Sequence, residues 1–203
     1  MQIAVSIAAQ STVVDRLAHG LSALGNPFAL AVLVILQLAA HSSAHPRLVS
    51  SILLGLLLFA LLPALFVYAA YRSGRVRDLD VTHRSERLAP TLVAVLCACA
   101  GWLGLTQSGA PTAFVWAASG LALQLAVLAL LTWRFKVSFH AASAADLVVT
   151  AALLGSPPLA TLSVGAALLI GWARCHLGRH RVREVAVGYA TAGLLLLTAA
   201  GAG

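Results

Sequence analysis

The chain has 203 residues, of which 61% are hydrophobic and only 9% charged, with a mean hydropathy of +0.95. A soluble domain of this length has no interior large enough for such a composition, so the pattern is that of an integral membrane protein. Thirteen basic residues face six acidic ones, and all but Lys136 of the thirteen are arginine. In a membrane chain that balance points to anionic headgroups or phosphates and not to nucleic acid.

The first segment, MQIAVSIAAQST, has no basic flank and the first charge is Asp15, so no cleaved signal peptide is expected. Residues 12 to 24 place their apolar side chains on one face, with Asp15, Arg16 and His19 elsewhere. This predicts an interfacial helix within an amphipathic leader over 1–25. Seven apolar stretches follow, at about 26–41, 48–71, 88–107, 112–133, 141–155, 158–173 and 185–200. Spanning takes about 20 helical residues, fewer beside a polar cavity. The expectation is an all-α, polytopic transmembrane bundle of six or seven spans, forming a single domain over 1–203. The fifth and sixth stretches are short, and Ser156-Pro157-Pro158 between them reads as the tight turn of a helical hairpin. Trp102, Trp116, Trp133 and Trp172 are expected as interfacial anchors. Cys97, Cys99 and Cys175 show no framework spacing and read as structural thiols.

With seven crossings, the leader and the loops 72–87, 134–140 and 174–184 share one membrane face. That face holds every basic residue except Arg47, which puts it in the cytoplasm by the positive-inside rule.

Three polar clusters fall on that face. In the first, RSGRVRDLDVTHRSERLAP over 72–90, Arg84 and Arg87 are three apart where a helix begins, a spacing that shares a helical face. Two guanidiniums on one face can grip one phosphate. The second, over 133–146, has Ser138 and His140 opening an apolar helix, with Asp146 well inside it. A mid-helix aspartate costs about 2.5–3.5 kcal/mol on insertion scales, so Asp146 should face the bundle interior or a wet cavity, as a structural hydrogen-bonder or as a site residue. The third is ARCHLGRHRVRE over 173–184. Here His180 and Glu184 are four apart and can meet on a helix, the carboxylate fixing one ring nitrogen and leaving the other as nucleophile or base. Arg174 precedes His180 by six and meets it if the chain turns between them. Arg179, Arg181 and Arg183 read as a basic rim against headgroups, and His176 as an interfacial histidine.

Together these clusters resemble the type 2 phosphatidic acid phosphatase superfamily, which carries K-x6-R-P, P-S-G-H and S-R-x5-H-x3-D motifs on one side of a helical membrane bundle. The third motif is matched by Ala173-Arg174, five residues, His180, three residues and Glu184, with Ala for Ser and Glu for Asp. Ser138-Phe139-His140 stands for S-G-H. With Arg87 as the first motif's arginine, Asp80 stands where the lysine belongs and the proline, Pro90, comes three residues later. Small bacterial members have a D-R-x-x-R-x-x-P form here and an S-x-H second motif; Arg84, Arg87 and Pro90 fit that form, with His83 for its Asp. The resemblance covers about 72–190. It implies a hydrolase of lipid or isoprenoid phosphates or diphosphates in the bacterial plasma membrane, with its site facing the cytoplasm. By that resemblance Arg84, Arg87 and Arg174, with Ser138, bind phosphate, and His180 attacks phosphorus. Glu184 orients His180, and His140 protonates the leaving group and then activates water. Asp80 and Asp146 are possible further polar site residues. No metal and no cofactor is implied.

Other classes are weighed against this. His176 with His180, and His41 with His45, have metal-pair spacing, but no ligand set completes a site. The DLDVTH stretch has the look of an Asp-rich prenyltransferase motif, but a second such loop is missing. A noncatalytic lipid-phosphate binder or transporter is the main alternative, supported by the absent lysine and opposed by the presence of both His140 and His180.

Overall fold

Thr12 and Asp15 begin the first helix by capping each other: the Asp15 backbone N–H donates to Thr12 Oγ1 at 3.1 Å, and the Thr12 N–H to the Asp15 carboxylate at 2.9 Å. The computed structural model describes residues 12–194 and 198, and among these every regular element is helical. Residues 1–11, where the expected leader begins, lie outside the described residues.

Helix α1 (Val13–Leu24) meets α2 (Pro27–His41) at a 56° bend. Asn26 caps α2 through the Phe28 N–H, and Pro27 occupies a first-turn position where its missing N–H costs nothing. Gly25 is required at the bend, since a Cβ there would lie 2.7 Å from Ile170. The next span, Leu48–Arg72, is α3 (Leu48–Gly55), a π-helical stretch over Leu56–Leu61, and α4 (Leu62–Arg72). Pro63 has no N–H and its ring crowds the carbonyl one turn back, so the ladder slips just before it: Leu62 donates to Leu57, five residues away. The widened turn carries Phe59 against Gly101, where a Cβ would meet the ring at 2.3 Å.

Helices α5 (Leu88–Gln107) and α6 (Thr112–Arg134) form a close hairpin through Gly109, whose φ of 67° only glycine adopts freely. Helices α7 (Phe139–Leu153) and α8 (Pro157–His176) form the second hairpin, turned by Gly155 and the expected Ser156-Pro157-Pro158. Helix α9 (Val182–Thr191) folds back onto α7. One core packs Ile35, Leu38, Leu105 and Phe114 together, and a second packs Leu30, Leu147, Ala167 and Ile170.

Among the described residues, four helices are long and apolar enough to cross a membrane: Leu48–Arg72, Leu88–Gln107, Thr112–Arg134 and Pro157–His176. The bent α1–α2 pair makes a fifth if it counts as one span. Large apolar side chains such as Leu96 and Leu162, 69% and 72% exposed, cover the outside, as a hydrocarbon solvent permits. Part of the difference from the seven expected stretches has a physical reason. Helix α7, with 15 residues, is about 22 Å long, less than a hydrocarbon core of about 30 Å. The last stretch, expected over 185–200, is described as α9 to Thr191 and as helical again at 193, 194 and 198; most of its residues beyond 194 lie outside the described ones. Trp116 also departs from expectation: it is buried in the first core instead of standing at an interface, whereas Trp102, Trp133 and Trp172 are exposed.

Candidate functional site

The loops after α4, α6 and α8 meet at one end of the bundle, and each brings a charged group inward. Arg174, in the last turn of α8, is wholly buried. Its carbonyl accepts the N–H groups of both Arg179 (3.0 Å) and His180 (3.1 Å), because Gly178 at φ 66° turns the chain back over the helix end. That turn returns His180 to Arg174 after five intervening residues. Helix α8 stops at His176, so His176 and His180 do not share a helix face; His176 stacks on Trp172 and meets Asp15 at 2.9 Å.

Glu184 is the third residue of α9, the position from which a carboxylate caps a helix start. Its Oε2 accepts the Arg181 N–H at 3.2 Å and the His180 Nδ1–H at 3.0 Å. A glutamate therefore caps α9 and orients the imidazole with one oxygen. With Nδ1 as the donor, Nε2 of His180 keeps a lone pair. Burial, then the charges of Arg87, Arg174 and Lys136, push His180 down to about 2, so the ring is neutral at physiological pH.

Arg87 stands just before α5 and spends its donors on backbone. Its Nε donates to the Val81 carbonyl and its Nη1 to the Val137 carbonyl, both at 2.7 Å, tying the first loop to the second. Burial, then Arg174, lower Arg87 to about 10, which leaves it charged. Lys136 donates to the Arg179 carbonyl at 2.7 Å and ties the second loop to the third. Ser138 is buried and caps α7 through the Ala141 N–H at 3.3 Å. Its own N–H donates to the Glu184 carbonyl. Gly188 permits this approach, as a Cβ there would lie 2.5 Å from the Ser138 carbonyl oxygen.

His140, in the first turn of α7, has Nε2 at 3.4 Å from Arg174 Nη1 and 3.8 Å from Asp80 Oδ1. Asp80 is the nearest acid to Arg174, with Oδ2 at 2.6 Å from Nη1, which also donates to Ser22 of α1 at 2.7 Å. Burial raises the Asp80 carboxyl, but the Arg174 hydrogen bond and neighbouring charges outweigh it and hold it below its ordinary value. Val81, next in the chain, is the sole non-glycine described residue with positive φ, at 47°. A β-branched side chain there costs about 1–2 kcal/mol. The Arg87 bond to its carbonyl and its packing among Val67, Val76 and Phe28 hold it in place.

Asp80, Arg87, His140, Arg174 and His180 line one end of an open cavity. The rest of its wall is mainly apolar, including Leu38, Phe59, Phe114 and Leu128. No family model, curated protein or solved structure matches the chain. Of the expected site residues, Arg174, His180, Glu184, His140 and Arg87 come together, as does Asp80. Arg84 does not join them. It sits on a single 3-10 turn (Arg84–Glu86), exposed, and donates to the Arg134 carbonyl at 3.1 Å, because the helix expected to align it with Arg87 begins only at Leu88. Ser138 serves backbone and does not line the cavity. Asp146 lines the cavity near Gln124 and Ser143, six residues along α7 from His140, a rise of about 9 Å. Ser22, Lys136 and the strained Val81 were not foreseen. Ser22 and Arg174 are 152 positions apart, and no periodicity links them.

Chemically, this end of the cavity combines buried cations, a neutral imidazole with one free nitrogen, and a second imidazole between a guanidinium and a carboxylate. Its apolar remainder suits an aliphatic chain. Among the described residues no three His, Cys, Asp or Glu side chains converge as a metal site.

Proposed function

We propose that the protein is a membrane lipid phosphatase of the type 2 phosphatidic acid phosphatase kind, acting on a lipid or prenyl phosphate or diphosphate at the cytoplasmic face. The observation that carries this reading is His180. Its Nδ1 is held by Glu184 at 3.0 Å, its ring is neutral, and it lines a largely apolar cavity together with Arg87 and Arg174.

In the proposed reaction the tail occupies the apolar cavity and the phosphate lies against Arg174 and Arg87. Their charges favour the added negative charge of the transition state. A monoanionic phosphate brings its proton to His140 on binding; Nε2 of His180 then attacks phosphorus, a P–N bond forms and the ester P–O bond breaks, and His140 passes that proton to the leaving alkoxide. Glu184 stabilises the positive ring that forms. His140, now neutral, takes a proton from water, whose oxygen displaces His180 and frees inorganic phosphate. The second reading, a noncatalytic lipid-phosphate binder, is favoured by the acid at position 80, where the family's first motif carries a lysine.

The six- or seven-span arrangement belongs to this proposal. Helix α1 lies at the interface, α7 crosses only part of the bilayer beside the cavity, and the site end carries twelve of the thirteen basic residues. Two measurements test it. Purified protein releases phosphate from a lipid phosphate in EDTA; strict dependence on a divalent ion would sink the histidine scheme. Ser85, exposed in the first loop, is labelled after Ser85→Cys in a Cys-free background only when the cytoplasmic side is opened. Labelling from outside intact cells reverses the orientation.

A further inference from the structure

The Arg174 guanidinium is fully buried, and its hydrogen bonds all run through Nη1, to Ser22, Asp80 and His140. Nε and Nη2 have no partner and no contact with solvent. A phosphate arriving through the cavity therefore reaches Arg174 only at the Nη1 side, where Asp80 already stands. The Asp80 side chain is 29% exposed, against 1% for Arg174, so it is the outer and more movable member of the pair. Its two oxygens divide between the catalytic groups of the proposed reaction, Oδ2 on Arg174 and Oδ1 toward His140. A phosphoryl group must make these same two approaches, one oxygen on the guanidinium and one toward the general acid. The segment that supplies the carboxylate is the strained one: Val81 holds its left-handed conformation while Arg87, the other phosphate-facing cation, grips its carbonyl.

We propose that the Asp80 carboxylate is an internal occupant of the phosphoryl position, which substrate phosphate must displace. The inference rests on the phosphatase reading for its substrate. It also narrows the class that the site accepts. A carboxylate paired with a guanidinium yields to a group of higher charge, so a dianionic phosphomonoester or the terminal phosphate of a diphosphate enters, and a singly charged phosphodiester does not. Departure of Asp80 releases the His140 ring from its neighbouring carboxylate as the phosphate arrives.

A purely structural Asp80, one that merely steadies Arg174, predicts the opposite sign on its removal, and this makes the test decisive. Binding of inorganic phosphate, and of dimethyl phosphate as the diester probe, is measured by calorimetry on detergent-purified wild type, Asp80→Asn and Arg174→Gln at one pH and salt. Thermal midpoints confirm that each variant is folded. Asp80→Asn is expected to bind phosphate at least tenfold tighter than wild type, about 1.4 kcal/mol. The preference for phosphate over dimethyl phosphate should narrow, and Arg174→Gln should lose binding. Equal or weaker binding by folded Asp80→Asn, with binding still dependent on Arg174, overturns the internal-occupant proposal and leaves the phosphatase reading standing. Binding indifferent to Arg174, or absent in both wild type and Asp80→Asn, overturns both.

Discussion

His180→Ala reduces phosphate release from a lipid phosphate to background, a loss on the order of 10⁴-fold or more, since the bond-forming nitrogen is gone. The variant should keep its thermal midpoint to within a few degrees. His180 belongs to none of the hydrophobic clusters, and its one side-chain hydrogen bond is to Glu184, which retains the Arg181 N–H. His140→Ala should behave differently. Loss of a general acid and base costs about 10²–10⁴-fold, and because the second half-reaction also needs His140, acid-labile phosphate should accumulate on the protein during turnover. Phosphate release and retained label, measured on the same samples, separate the two roles. Full activity in both variants would exclude the histidine mechanism.

The second large effect is at Gly188, remote from any reacting atom. A valine there places carbon 2.5 Å from the Ser138 carbonyl and 3.0 Å from the Ala141 Cβ, so α9 must move away from α7. Overpacking of this kind costs about 1–3 kcal/mol, read as a lower midpoint of thermal inactivation in detergent. The same movement carries Glu184 and His180 away from His140, so kcat should fall by about 10²-fold, the usual result of misplacing catalytic groups by an ångström. Unchanged kcat in a protein of lowered midpoint would mean that the α7–α9 contact supports stability alone.

These sites differ in how far the sequence reveals them. The apolar stretches give the helices because hydropathy is local, and their ends are set by nearby glycines and prolines. The Arg174–His180–Glu184 arrangement is legible for the same reason, being built from one helix end, one turn and one helix start. Asp80 is visible only as a departure from a motif; that it sits on Arg174, 94 positions away, is decided by packing between loops. Arg84 misleads because three-residue spacing implies a shared face only inside a helix, and the helix starts after it. Trp116 misleads because an amphipathic ring fits an interface or a helix–helix contact equally well. Ser22 carries no local signal at all.

The turn at Gly178 bears on how such sites are recognised in other chains. The interval between Arg174 and His180 is what a helix end closed by a left-handed residue dictates, whatever chemistry follows. Any membrane helix that finishes this way brings its first and seventh residues together, so an arginine and a histidine at that interval will recur in chains with no reaction to perform. A search pattern therefore gains discrimination from the glycine four places after the arginine, which reports the turn, and from the acid four places after the histidine, which reports a fixed imidazole. A further arginine in the same stretch adds nothing, because basic residues gather at this end of a membrane bundle for reasons of orientation alone.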